Sequence, residues 1–164
     1  AERGMMTGVS ADAFAPSATA TRAMLVTTLW YLEGRPQVNY LMSFADVGQG
    51  LWYTEAVRWA ASEGIVEGYS DAVFAPGDPI TRQQMAVLFY RYAQYKGWDV
   101  SARSDLSGYE DASEISAWAQ SAMSWANAEG LVTGVSAEAL TPRAAATRAQ
   151  VATMLMRFCR SMGL

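Results

Sequence analysis

One spaced pattern occurs three times in this chain, and it constrains the fold more than anything else in the sequence. The fullest copy runs from Gly64 to Arg82. Two glycines stand four residues apart at Gly64 and Gly68, followed by Phe74, Pro76 and a Thr81-Arg82 pair. Sixty residues earlier stand Gly4, Gly8, Phe14, Pro16, Thr21 and Arg22, and sixty-six residues later Gly130, Gly134, Leu140, Pro142, Thr147 and Arg148. Landmarks held in one register three times over define a tandem repeat. A unit of this size cannot bury its apolar face alone, so neighbouring copies must share a core.

Between the landmarks the apolar spacing is helical. From Arg22 to Glu33 the stripe is Leu25, Val26, Leu29, Trp30 and Leu32, closed by Gly34 and Pro36. A helix over 51–63 carries Trp52, Ala56, Val57, Trp59 and Ala60 and ends at Gly64, a suitable left-handed C-cap. Thr81 then caps a helix over 82–96, and Gln84 at the third position completes a capping box. The third copy repeats this with helices over 115–129 and 148–161. Trp118 and Trp125 match Trp52 and Trp59 at the same offset of 66. The unit is helix, long loop, helix, and the fold class is all-α.

Composition narrows the chemistry. The 164 residues contain no histidine and one cysteine, Cys159. That removes the usual general base, every Ser-His or Cys-His arrangement and any histidine-containing zinc site. Cys159, beside Leu155, Met156 and Phe158, reads as an inert buried side chain. A net charge of -4 without an acidic run argues against nucleic acid or an anionic membrane as partner. No catalytic carboxylate pair stands out, so the segment reads as non-enzymatic, without cofactor or metal. Asp71 and Asp78 are weighed as calcium ligands and read as turn formers, because Ala11, Ala137, Ala18 and Ala144 replace them in the other copies.

One local rule is broken three times. A helix N-terminus carries partial positive charge and disfavours a cation in its first turn, yet Arg22, Arg82 and Arg148 each follow the capping threonine directly. Free helix N–H groups beside a guanidinium would hold a carboxylate or phosphate. The alternative is internal pairing of each arginine with a carboxylate such as Asp46, Asp111, Glu63 or Glu129. The four recurring tryptophans likewise read either as core or as a surface on which sugar rings stack.

These residues resemble the S-layer homology repeat. The likeness is carried by Phe44-Ala45-Asp46-Val47, Trp59, the run Gly64 to Asp71, Phe74-Ala75-Pro76 and Ile80-Thr81-Arg82-Gln83-Gln84. The third copy carries it less fully, through Gly130, Gly134, Pro142 and Thr147-Arg148-Ala149-Gln150. The resemblance implies one domain over residues 1–164, with repeats at 1–36, 37–97 and 98–164. It implies a pseudo-threefold arrangement around a central three-helix bundle. It also implies a secreted module on the bacterial cell wall or S-layer, binding anionic, pyruvylated secondary cell-wall polysaccharide in grooves between repeats. The glycan-binding residues that follow are Thr21, Arg22, Thr81, Arg82, Gln84, Thr147, Arg148 and Gln150, with Tyr69 and Asp71 of the intact Gly-Tyr-x-Asp loop. The family's acidic residue three positions after the threonine is replaced by Met24, Gln84 and Gln150.

Two further expectations complete the reading. The same grooves, or an exposed helical seam, would alternatively serve a protein partner or self-assembly, and a wall-hydrolysing activity would belong to a larger parent protein. Residues 1–3 align with Ala61-Ser62-Glu63, the end of a helix, so the chain reads as starting within a repeat. A second polypeptide or another copy is then expected to supply the missing helix.

Overall fold

The computed structural model describes residues 15–163. Gly4, Gly8, Phe14 and the helix-end reading of residues 1–3 lie outside the described residues. Among the described residues five α-helices follow one another: α1 Arg22–Leu32, α2 Thr54–Ser62, α3 Arg82–Tyr95, α4 Gln120–Ala128 and α5 Arg148–Ser161. Short 3-10 turns at Ala112–Glu114 and Ala117–Ala119 precede α4, and among the described residues β pairing is limited to isolated bridges. The all-α class is as the sequence indicates.

Capping follows the sequence closely. The hydroxyls of Thr21, Thr81 and Thr147 accept from the backbone N–H groups of Met24, Gln84 and Gln150. Gln84 and Gln150 return the bond to the threonine N–H and complete capping boxes on α3 and α5, which Met24 cannot do for α1. Gly64 and Gly130 end α2 and α4 at φ +68° and +67°, where a side chain would be strained.

The first helix of each later unit is shorter than the expected 51–63 and 115–129. The Thr54 hydroxyl donates to the Gly48 carbonyl and accepts from the Leu51 N–H, so residues 48–53 turn before α2 begins. Trp52 therefore stands before its helix, and Trp118 sits in the 3-10 turn before α4. Both are 58% exposed, whereas Trp59 and Trp125 are buried. The core reading holds for the second pair and is wrong for the first.

Packing alternates between copies. α1 lies along α2 and α3 along α4, so the second helix of one unit packs on the first helix of the next. α3 meets α5 through Phe89 and Phe158, 4.8 Å apart, and Tyr92 is ringed by Trp59, Trp98 and Phe158. Burying a side chain of this size contributes about 1.5–3 kcal/mol. Cys159 is half-buried rather than buried, and its neighbour Met156 is exposed. Tyr92 also donates to the Glu33 carboxylate at the end of α1, which accepts from Lys96 at 2.8 Å and fastens α1 to α3.

A closed ring of backbone hydrogen bonds joins the three units just before their arginine-bearing helices. The Ala20 N–H donates to Ala146, the Ile80 N–H to Ala20 and the Ala146 N–H to Ile80, at 2.8–2.9 Å. Each repeat's capping segment is thereby held by both others.

Candidate functional site: grooves between repeats

The ring fixes what each helix N-terminus meets. The N–H of Arg22 donates to Asp78 and that of Ala23 to Pro76, both in the loop of the next unit. Arg82 and Gln83 do the same to Ala144 and Pro142, and Arg148 and Ala149 to Ala18 and Pro16. With the third N–H on the threonine, the first three donors of each helix are spent on protein. The free N–H groups expected to hold an anion are not free.

The guanidinium groups are also anchored in the next unit. Arg22 donates through Nε to the Phe74 carbonyl and through Nη2 to that of Glu67, each at 2.9 Å. Arg82 repeats the pattern on Leu140 at 2.8 Å and Thr133 at 2.7 Å. Arg22, Arg82 and Arg148 are all buried, and Arg148 lies 3.6 Å from the Met24 sulfur. Burial pulls the Arg22 and Arg82 pKa values below the ordinary arginine value. Tyr69, Asp78 and Asp46 oppose this at Arg22, and Asp111 does so at Arg82.

Asp46 and Asp111 act through the loop rather than by contact. Asp46 accepts from the N–H groups of Phe74 and Ala75, and Asp111 from those of Leu140 and Thr141. Phe74 thus has its N–H on Asp46 and its carbonyl on Arg22, and Leu140 is gripped identically by Asp111 and Arg82. The carboxylate also holds the following residue, Ala75 at φ +58° or Thr141 at +48°, in the left-handed region. Burial raises the Asp111 carboxyl, but its backbone N–H donors and Arg82 outweigh this and hold it below the usual carboxylate value. Of the four carboxylates weighed for internal pairing, Asp46 and Asp111 are therefore coupled to arginines. Glu63 and Glu129 instead sit at the C-caps of α2 and α4.

A groove lies beside Arg22 and another beside Arg82, and the two are built from matching positions. The first, of about 380 Å³, is lined by Arg22, the Val66–Tyr69 loop, Gln84, Arg91 and Trp118 among others. The second, of about 250 Å³, has Arg82, the Val132–Val135 loop, Gln150 and Arg157 in the same places. The second glycine of each pair sits on the groove floor for steric reasons. A Cβ on Gly68 would fall 2.4 Å from the carbonyl oxygens of both Ser70 and Val73, and one on Gly134 would fall 2.2 Å from that of Ser136.

The sequence candidates divide accordingly. Arg22, Tyr69 and Gln84 meet in the first groove, Arg82 and Gln150 in the second. Thr21, Thr81 and Thr147 are spent on capping. Asp71 is exposed, and its carbonyl accepts from the Ser43 hydroxyl at 2.6 Å. The grooves also hold Arg91, Glu67 and Arg157, which lie outside the sequence candidates. Arg91 pairs with Glu67 at 3.1 Å across the first groove, whereas Thr133 replaces that carboxylate in the second.

A helical tandem-repeat domain with arginine-floored grooves between its units is the class of protein these features define. The S-layer homology domain matches the chain over residues 43–86 and 108–152, and the chain belongs to that family. It is 31% identical to the surface-layer 125 kDa protein of Lysinibacillus sphaericus over 95% of this chain and 13% of that protein. It is 29% identical to the cellulosome-anchoring protein of Acetivibrio thermocellus over 92% of this chain and 34% of that protein. The exoglucanase XynX of Acetivibrio thermocellus is 30% identical over 94% of this chain and 14% of the enzyme. The chain thus spans about a third of the cellulosome-anchoring protein and about a seventh of the other two, and what it shares with the exoglucanase is a small part of that enzyme.

Proposed function

We propose that this chain is a non-catalytic anchoring module of a bacterial surface protein. It binds anionic, pyruvylated secondary cell-wall polysaccharide in the grooves beside Arg22 and Arg82. Its place is the cell wall or S-layer. Family membership supports the wall ligand, and the names of the surface-layer and cellulosome-anchoring relatives support the anchoring role. The observation that carries the reading is the matched pair of grooves, each combining a buried guanidinium with a second, partly exposed arginine from the next unit. A guanidinium has five N–H donors, and Arg22 and Arg82 each commit two of them to carbonyls. The others suit the carboxylate of a pyruvate ketal.

The units are further inferred to sit about a common axis, which the closed backbone ring favours. The second polypeptide expected beside the first repeat gains no support from the comparisons and forms no part of this reading.

The test is calorimetric titration of the chain with pyruvylated wall polysaccharide and with the same material after acid removal of the ketal. Arg91→Ala and Arg157→Ala follow, since neither side chain carries the fold as Arg82 does. Binding that depends on the ketal and weakens in either variant supports the proposal. A folded chain that binds neither material refutes it.

A further inference from the structure

The two grooves match in their arginines but not in their walls. Val135 replaces Tyr69, and among the described residues no tryptophan lines the Arg82 groove. In the Arg22 groove, Tyr69 is held by two contacts. The Arg22 guanidinium lies 4.7 Å from its ring centre, and Gln84 Nε2 donates to its hydroxyl at 3.4 Å. The same guanidinium lies 4.7 Å from the Phe74 ring, so it is flanked by two aromatic faces. Trp118 enters from the third repeat, carried by the 3-10 turn that packs on α3. The groove therefore takes its cation from the first repeat, its loop and helix from the second and its indole from the third.

An indole 58% exposed in a groove is unusual for a side chain that gains so much by burial. Its helix-borne partner Trp125, seven residues on, is fully buried, so the segment supplies one indole to the core and leaves one outside. We infer that the Arg22 groove is the chain's principal saccharide subsite, holding one pyranose ring with its C–H face on Trp118 and its acidic substituent toward Arg22 and Arg91. The Arg82 groove, without either aromatic, then binds the same polymer more weakly. The inference rests on the anchoring reading and adds the residue that ranks the grooves.

The test uses the whole chain and pyruvylated wall polysaccharide, with the variants Trp118→Ala, Trp118→Phe, Tyr69→Val and, as control, Met156→Ala, which lines neither groove. Trp118→Ala should weaken binding by about tenfold or more, the scale of a truncated central anchor, and Trp118→Phe by less. Tyr69→Val, which copies the other groove, should also weaken it, and Met156→Ala should leave it unchanged. The Trp118 indole N–H resonance, assigned by its loss in Trp118→Phe, should shift on titration of the unaltered chain. That readout stands even if the alanine variant misfolds. Binding by Trp118→Ala within twofold of the unaltered chain, or an indole resonance unmoved at saturation, overturns the inference while leaving anchoring intact. Absence of any binding by the unaltered chain refutes the anchoring reading itself.

Discussion

Arg82 and Asp111 do not touch, yet they should be coupled in stability because they hold opposite ends of Leu140. Asp111 accepts two backbone N–H bonds, at 2.9 and 2.7 Å, and Arg82 donates two bonds to carbonyls, at 2.8 and 2.7 Å. A hydrogen bond to a charged group contributes about 1.5–3 kcal/mol. Taking the low end for both groups, because Asp111 is partly exposed and Arg82 regains solvation when the chain unfolds, each alanine variant should cost about 3 kcal/mol. Independent effects would then sum to about 6 kcal/mol, a large share of the roughly 5–15 kcal/mol available to a domain. Once either grip is lost, however, the 133–142 loop relaxes and the other loses its geometry. The double variant should therefore cost only about 4 kcal/mol, a coupling of about 2 kcal/mol. Urea unfolding of the four proteins, followed by tryptophan fluorescence, gives this value directly. Additivity within about 0.5 kcal/mol would refute the idea that carboxylate and guanidinium act through one shared residue.

Gly68→Ala places a Cβ 2.4 Å from two carbonyl oxygens, so the Tyr69 loop must move. Its thermal midpoint should fall by at least about 4 °C, against little change for Gly77→Ala, where a Cβ meets open space. The Tyr92 hydroxyl, raised well above the ordinary phenol value by burial and by its bond to Glu33, makes a pH prediction. A raised folded pKa means its contribution is whole below about pH 10 and is lost above it, where the unfolded chain ionises first. The stability gap between the unaltered chain and Tyr92→Phe, measured by urea unfolding, should narrow above pH 10 by up to about 1.4 kcal/mol per pH unit. A gap that stays constant would show that the hydroxyl is not held neutral by the fold.

The sequence carried the helices and their caps because those depend on neighbours within four residues. Thr81 with Gln84 and Gly64 after Ser62 act locally, and local chemistry is legible. The role of Arg22, Arg82 and Arg148 was only half legible. Their break with the dipole preference marked them, but the carbonyls that hold the Arg22 and Arg82 guanidiniums belong to another unit's loop, some fifty residues away, and Arg148 meets Met24 from the far end of the chain. Trp52 and Trp118 misled because they stand seven residues before Trp59 and Trp125, a helical spacing that places both on one face. Thr54 folding back on Gly48 delays α2, and the 3-10 turn at Ala117–Ala119 delays α4, so the leading indole leaves the core in each case. Arg91 and Arg157 carried a readable signal. They recur at the same offset of 66, nine residues after Arg82 and Arg148, but lie beyond the Thr-Arg motif.

Arginine at the first helical position is then explained without appeal to the helix dipole. The dipole's donors are quenched by the neighbouring loop, so the cation meets carbonyl oxygens rather than unpaired N–H groups, and two charge-assisted bonds exceed the few tenths of a kcal/mol that the dipole opposes. Scaffold and ligand reading draw on the same side chain and are not alternatives. The guanidinium is desolvated when the repeats close around it, so an anion reaching its remaining donors meets a cation already stripped of water and fixed in orientation, which strengthens the attraction over that of a surface arginine. Asp46 and Asp78 temper this field at Arg22, whereas Asp111 alone does so at Arg82. Charge therefore favours the Arg82 groove and aromatic surface the Arg22 groove. A ligand that is mostly sugar ring with one carboxylate draws more on surface than on charge, and it should seek Trp118 first.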